Sequence, residues 1–424
     1  MLYQMFLRAK STKYLPWLMV VLALSFYCYE SLLRVSPSVM RMEIMLNYSI
    51  DAGTFSSLIA FYYYIYTPMQ LFVGVLMDRY GPRKLLTIAS LACGVGSYLF
   101  VLTNNLLLGE AGRLLIGFGS SFAFVGVLKI ASIWLPENKF ALISGSTMAL
   151  GMVGGLIGDT MLTSVVIAEG WKLTMLYAAL LGLILAVLII VIFKDKKIDA
   201  SQHLEVSTFT DVFAGLKKLL CNSQTWIIGA IGCFMWFPIA IYAEAWGVGH
   251  LQDVMGYKIG NATFAVGMIF LGMACGGPCV GACADYFQKR KIIVMIGAFL
   301  TFIVSYFLIY YDNLSVNSVY ALCFFFGFFN SPQVLVFPMA KAITDKHSVG
   351  SALALVNMFV MLAGVIQPIT GYLLRHIGSS TMQSLIYSKH AYHIALAIIP
   401  ASLVLTIFLA LFLKDDFKNS DITH

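Results

Sequence analysis

The chain has 424 residues, 60% of them hydrophobic and only 11% charged, with a formal net charge of +7. Soluble domains carry roughly 25% charged residues, and no globular core can bury this much apolar surface. A soluble enzyme, a nucleic-acid binder and a secreted disulfide scaffold are excluded, and a polytopic membrane protein remains.

A helix needs about 20 mostly apolar residues to cross a bilayer. That criterion predicts spans near 15–39, 53–77, 85–104, 111–134, 141–166 and 171–193, and then near 225–249, 262–284, 291–311, 318–340, 349–373 and 391–413. The first run follows Arg8, Lys10 and Lys13, is too long for a signal-peptide core and has no small-residue cleavage site after it. It reads as an uncleaved span. An even number of spans puts both termini on one side. Lys and Arg crowd the segments on that side, among them Arg79, Arg83, Lys84, Lys289, Arg290 and Lys291, so the termini are expected in the cytoplasm. The inner cell membrane is the expected location.

Residues 194–224 separate two sets of six spans, 1–193 and 225–424. In this interval Phe209, Val212, Phe213, Leu216, Leu219 and Leu220 recur at helical spacing beside Lys217 and Lys218. The pattern predicts an amphipathic helix on the inner membrane surface, with a flexible linker as the alternative. The halves also look like repeats. Asp78 heads a basic loop after the second span and Asp285 heads another after the eighth, while Phe193-Lys194-Asp195 and Leu413-Lys414-Asp415 close the two halves. Parallel internal symmetry of this kind belongs to secondary transporters.

The loop Gly74-Val-Leu-Met-Asp78-Arg79-Tyr-Gly81-Pro-Arg83-Lys84 resembles the signature between spans two and three of the major facilitator superfamily. The resemblance implies twelve transmembrane helices in two six-helix pseudo-symmetric halves, and a secondary transporter rather than an enzyme. Gly74 permits close helix approach and Gly81 a tight turn. Asp78 is expected to face the positive N-terminus of a helix in the other half, the eleventh, near Ser348. Arg79, Arg83 and Lys84 would hold the loop at the inner surface. Arg113-Leu-Leu-Ile-Gly117 is similar to the family's Arg-x-x-x-Gly pattern in span four, where proton-coupled members often tie the arginine to transport; the alternative is an arginine reaching outward to the interface. Span five is rich in glycine but lacks the proline that the family's drug antiporters usually carry there.

An ionisable side chain at bilayer depth is costly, by about 3 kcal/mol on insertion scales, and marks a pathway or a binding site by default. Glu30 and Arg34 lie one turn apart on one face of the first span, near mid-membrane. They are expected to face a central cavity, or else to pair with each other structurally. Tyr62 and Tyr66 share a face of span two and can donate hydrogen bonds into that cavity. Lys129, Glu244, Asn330 and Asn357 are further intramembrane polar residues that can complete a site, as are Gln333, Gln367 and Asp159. Cys275, Cys279 and Cys283 make a stripe on span eight, but three thiols on one helix cannot close a tetrahedron, so small-residue packing is expected and no metal.

The expectation is a transporter of a small polar or anionic metabolite working by alternating access. Arg34 and Lys129 suggest a carboxylate or phosphate, and the chain loosely resembles the organic-anion and sugar-phosphate permeases of the superfamily. Protons are the candidate coupling ion, through Glu30 or Glu244. An amino acid or short-peptide transporter, with the carboxylates binding an ammonium, stays open, as does a non-transporting membrane sensor of the same fold. No cofactor is expected; the partners are the solute, protons and membrane lipid, with no nucleic acid, and the protein is expected to be monomeric.

Overall fold

The computed structural model describes residues 14–194, 209–311, 313–344, 348–378 and 385–414. Twelve helices long and apolar enough to cross a membrane account for nearly all of them. In chain order they are α1 (Leu15–Val39), α2 (Ala52–Tyr80), α3 (Pro82–Leu102), α4 (Leu106–Trp134), α5 (Glu137–Glu169), α6 (Trp171–Ile192), α7 (Ser223–Asp253), α8 (Ile259–Phe287), α9 (Arg290–Tyr310), α10 (Val316–Ala342), α11 (Val349–Gly378) and α12 (Lys389–Leu411). The expected spans are all present, with ends differing by a few residues. α1–α6 and α7–α12 form two six-helix halves of an all-α membrane protein. A short helix, Arg41–Tyr48, follows α1.

The amphipathic stretch folds as the helix Phe209–Leu220. Leu216 and Leu219 are buried against the protein, and Gly215 lies over Ser348 and Ser351 at the start of α11. Part of its apolar face is therefore docked on the second half. Residues 195–208 of the expected linker lie outside the described residues. The end of the bundle that carries this helix is called the linker end below, and the opposite end the far end.

Several spans are irregular at mid-depth, where proline removes a backbone donor. In α7, Pro238–Trp246 winds as a π-helix. In α10, Ser331–Leu335 tightens to a 3-10 turn after Asn330. α11 breaks at Ile366, before Pro368. Side chains answer the carbonyls left over. Asn330 Nδ2 donates to Met235 O at 2.9 Å and Gln367 Nε2 to Ala240 O at 2.6 Å, so amides from α10 and α11 hold the turn before the π segment and the segment itself.

The seam between the halves is built largely by two helix pairs, α2 with α11 and α5 with α8. On α11, Gly371, Gly364, Asn357 and Gly350 recur every seven residues and share one face. A Cβ at Gly371 would come within 2.3 Å of the Ala52 carbonyl oxygen, and one at Gly364 within 2.3 Å of the Tyr63 ring. Asn357 Nδ2 donates to Gln70 Oε1 at 2.9 Å. At Gly350 a Cβ would meet nothing within 4 Å, and the same holds for Gly74 on the facing side of α2. The two helices touch from the far end to Gln70 and then part.

α5 and α8 behave alike. Gly267 packs on Leu156 and Thr160, and Phe270 covers Gly155. Further along the same face of α8, Gly277 and Gly281 have nothing within 4 Å. Cys275, Cys279 and Cys283 are exposed beside them, whereas Gly272 and Gly276 sit against the α10 backbone. Among the described residues no cluster of His, Cys, Asp or Glu is arranged to hold a metal.

Candidate functional site

Between the closed far end and the parted linker end lies a buried polar cluster drawn from both halves. Its centre is an ion pair across the seam: Arg34 Nε on α1 stands 3.3 Å from Glu244 Oε1 on α7. The second Glu244 oxygen accepts a hydrogen bond from the Tyr63 hydroxyl of α2. Glu30, one turn from Arg34, accepts from the Tyr62 hydroxyl at 3.0 Å and from Ser31 Oγ at 3.2 Å. Glu30 thus accepts hydrogen bonds on both oxygens and Glu244 on one, its Oε1 having only the Arg34 charge beside it. Arg34 donates no hydrogen bond to any described residue, and Nε misses hydrogen-bond geometry despite its proximity to Glu244.

Local sequence explains how these groups reach one place. Period-four spacing puts Glu30 and Arg34 on the seam side of α1, and Tyr62 and Tyr66 on one face of α2, their rings stacked with centroids 5.3 Å apart. Tyr63 joins them because a helix wedged between neighbours buries adjacent positions. Glu244 sits in the π segment begun by Pro238, and π insertions of this type frequently mark functional positions.

Arg113 does not reach to an interface. It is fully buried, and Nη1 donates to Leu33 O at 3.1 Å and Nη2 to Ile59 O at 3.4 Å. Pro37 has no amide hydrogen, so the Leu33 carbonyl four residues earlier lacks its helical donor, and Arg113 supplies one. Its guanidinium also lies 5.2 Å from the centroid of the Tyr62 ring. Arg113 therefore ties α1, α2 and α4 together directly behind the cluster.

Other sequence-predicted residues fall elsewhere. Lys129 Nζ forms an ion pair with Asp78 Oδ1, within the first half and with both side chains about one-third exposed. The described partner of Lys129 is therefore Asp78 rather than Arg34, and that of Asp78 is Lys129. Arg83 donates to the Ile190 carbonyl at 2.7 Å, fastening the loop to α6, and Arg79 lies over Tyr80. Gly81 turns the chain between α2 and α3 at φ 79°. Asn330 braces the start of the π segment and Asn357 bridges to Gln70, about two turns below Tyr63 on the same seam.

The far end is sealed by a second network that sequence reasoning passed over. Arg41 holds Asp253 with two bonds of 2.9 and 3.0 Å, both side chains buried. Tyr392 donates to Asp253 at 2.8 Å, and the Ala52 amide donates to the Tyr387 hydroxyl at 3.1 Å. Trp246 Nε1 donates to Ser56 at 3.0 Å, and Arg375 pairs with Asp51 at 3.1 Å. Each of these joins residues of the first half to residues of the second, apart from the Tyr392–Asp253 bond. Arg41 was visible as a basic residue after α1, but nothing local ties it to Asp253.

Comparison with known proteins gives one consistent answer. The chain is 22% identical to the probable sulfoacetate transporter SauU of Cupriavidus necator over 82% of this chain and 84% of that protein. It is 23% identical to the hexuronate transporter of Bacillus subtilis, covering 77% and 80%, and 23% identical to the membrane sensor protein UhpC of Salmonella typhimurium, covering 80% of each. The fold matches the nucleoside transporter NupG with a TM-score of 0.76 at 12% identity, over 94% of this chain and 99% of that one. It also matches a bacterial homologue of the human lysosomal transporter Spinster, solved inward-facing and unoccupied, with a TM-score of 0.72 at 14% identity, over 95% and 96%. The family model for the Major Facilitator Superfamily matches residues 18–368 and again 265–422. With the twelve-helix fold and its paired halves, this makes the chain a member of the Major Facilitator Superfamily, a multi-pass membrane transporter and not an enzyme.

Proposed function

We propose that the protein moves a small organic anion bearing a carboxylate or sulfonate across the inner membrane by alternating access, with both termini and the linker end in the cytoplasm. The observation that carries this is Arg34: a buried guanidinium on the seam that donates no hydrogen bond to any described residue. A planar fork of donors suits an oxyanion held by two bonds. The named substrates of two relatives, sulfoacetate and hexuronate, are anions of this class. The amino-acid reading has less support, because Glu30 already accepts on both oxygens and Glu244 already has the Arg34 cation beside it.

Charge balance favours proton symport. Glu30, Arg34 and Glu244 together carry one net negative charge when all are ionised. An anion that takes Arg34 leaves Glu244 without its cation in a buried site, and an uncompensated buried charge is expensive. Protonation of Glu244 as the anion binds removes that cost. The transport cycle then carries at least one proton with each anion. Tyr62, Tyr63 and Tyr66 supply hydroxyls around the bound solute, and the Asp78 loop works at the cytoplasmic face as the halves rock. The protein acts as a monomer in the lipid bilayer.

Counterflow in proteoliposomes tests the reading, using radiolabelled sulfoacetate, a hexuronate and a neutral amino acid as separate probes. Uptake of one or both anions, lost in Arg34→Lys at matched protein levels, is the expected result, because an ammonium cannot present the fork. Amino-acid counterflow alone would overturn it. Anion binding by thermal shift with no counterflow would instead indicate a sensor, as the relative UhpC is named.

A further inference from the structure

Asp159 on α5 is the buried acid that the central site leaves unused. It is fully buried at the seam, and neither carboxylate oxygen has a hydrogen-bond partner. Its helix lies against α8, where a Cβ at Gly267 would stand 3.8 Å from the Asp159 Cβ. This contact is in the far half of the seam, some ten residues before the end of α5 at Glu169.

The ionisable neighbours are few. On α8, no titratable side chain occurs between Ile259 and Ala274. On α1, Leu32 and Val35 pack at Gly158, while Glu30 and Arg34 are occupied by Tyr62 and Glu244. On α6, Lys172 reaches away to Asn104, and in the second part of α4, Lys129 is paired with Asp78 at the linker end. An ionised carboxylate with neither cation nor donor does not persist inside protein, so Asp159 is neutral in this conformation.

We propose that Asp159 is a proton-binding site which must be loaded from the far side before the far ends of α5 and α8 can close. When the far end opens, the α5–α8 face is exposed to water and Asp159 can release or take a proton. When it closes, only the protonated acid fits between the helices. Acid on the far side thus favours the closed far end. A proton rather than a metal cation is the ligand because a cation needs several oxygens around it. The hydroxyls nearest in sequence are spent within α5, Thr160 on Leu156 O at 2.7 Å and Thr163 on Asp159 O at 2.5 Å.

Two measurements on the full-length protein in nanodiscs test this. Infrared titration should show a carboxylic C=O band at neutral pH in the wild type that Asp159→Asn lacks; absence of any such band in the wild type would overturn the proposal whether or not the variant folds. Spin labels at Glu169→Cys and Lys258→Cys, in a cysteine-free background, report the far-end distance. The closed-to-open ratio should rise on acidification by up to about tenfold per pH unit, the limit for one proton. In Asp159→Asn it should be independent of pH. An undiminished pH response in the variant, or a response to sodium at fixed pH, would overturn it.

Discussion

The two ends of the seam are made from the same helices and differ in what those helices carry. At the far end, α2 and α11 meet backbone to side chain at Gly371 and Gly364, and a buried ion pair, Arg41 with Asp253, spans the halves. At the linker end the same faces carry Gly350 and Gly74, which meet nothing, and among the described residues the ion pair near Gly74, Asp78 with Lys129, stays within its own half. Closure on the far side therefore rests on buried, directional contacts, and openness on the linker side on their absence. Two helix pairs part at similar depth, below the level of Arg34 and Glu244. The cluster itself is buried in this conformation, and the looser packing lies on its linker side.

The largest effect should come from the far seal. Removing one partner of a buried ion pair leaves the other uncompensated and typically costs 3–5 kcal/mol. Arg41→Gln strands Asp253 in the closed state only, so it should open the far end. Thr370 is a suitable reporter, since it is buried on α11 and its hydroxyl has no partner. Thr370→Cys, in a cysteine-free background, should be labelled by a membrane-impermeant maleimide from the far side about a hundredfold faster or more once Arg41 is changed. Arg41→Gln with Asp253→Asn should recover much of the protection. Unchanged labelling in the single variant would mean that the network decorates the seam without holding it.

A somewhat smaller effect is expected from steric wedges, and here the two ends can be set directly against each other. Gly371→Leu puts a side chain into the Ala52 carbonyl. Overpacking of this kind costs about 1–3 kcal/mol, more where backbone is struck, and should favour the far-open state. Gly74→Leu costs nothing in the conformation described, because the space is empty, but should hinder closure at the linker end. Both should slow transport, with opposite shifts in Thr370→Cys labelling: faster in the first, slower in the second. Labelling that moves the same way in both would break the contrast between the ends.

How much of this was legible in advance depends on whether a feature is local. The twelve spans were, because hydrophobic length is a property of a continuous segment. Glu30, Arg34 and Glu244 were legible as site candidates because an ionisable group at mid-span is costly wherever it points. Which acid Arg34 pairs with was not. Glu30 is one turn away on the same helix, while Glu244 arrives only when α7 is laid against α1, with its backbone wound into a π segment. Lys129 and Asp78 were each singled out for other roles, and only the packing of α2 on α4 brings them together. Asn330 had the right depth but the wrong task, since the Met235 carbonyl it satisfies is part of an irregularity no pattern announced. Tyr63 was not among the candidates, although its seven-residue relation to Gln70 matches that of Gly364 to Asn357 on α11.

The smallest effect is expected at Asp78. Its pair with Lys129 is about one-third exposed on both sides, and exposed pairs contribute about 0–1 kcal/mol. Asp78→Asn should therefore leave thermal stability in detergent nearly unchanged. On the proposed cycle, any effect on transport comes from the state in which the linker end closes, where Asp78 is expected to approach the start of α11. There a carboxylate facing a helix N-terminus contributes about 0.3–1 kcal/mol, and losing it should slow transport no more than about fivefold. The two roles separate through Lys129. If Asp78 acts only through its partner, Lys129→Gln should slow transport as much as Asp78→Asn does. If Asp78 serves the closing linker end, Lys129→Gln frees it and should slow transport less. Equal slowing in the two variants, with no further loss in the double variant, would assign Asp78 to the first half alone and leave closure at the linker end to other groups.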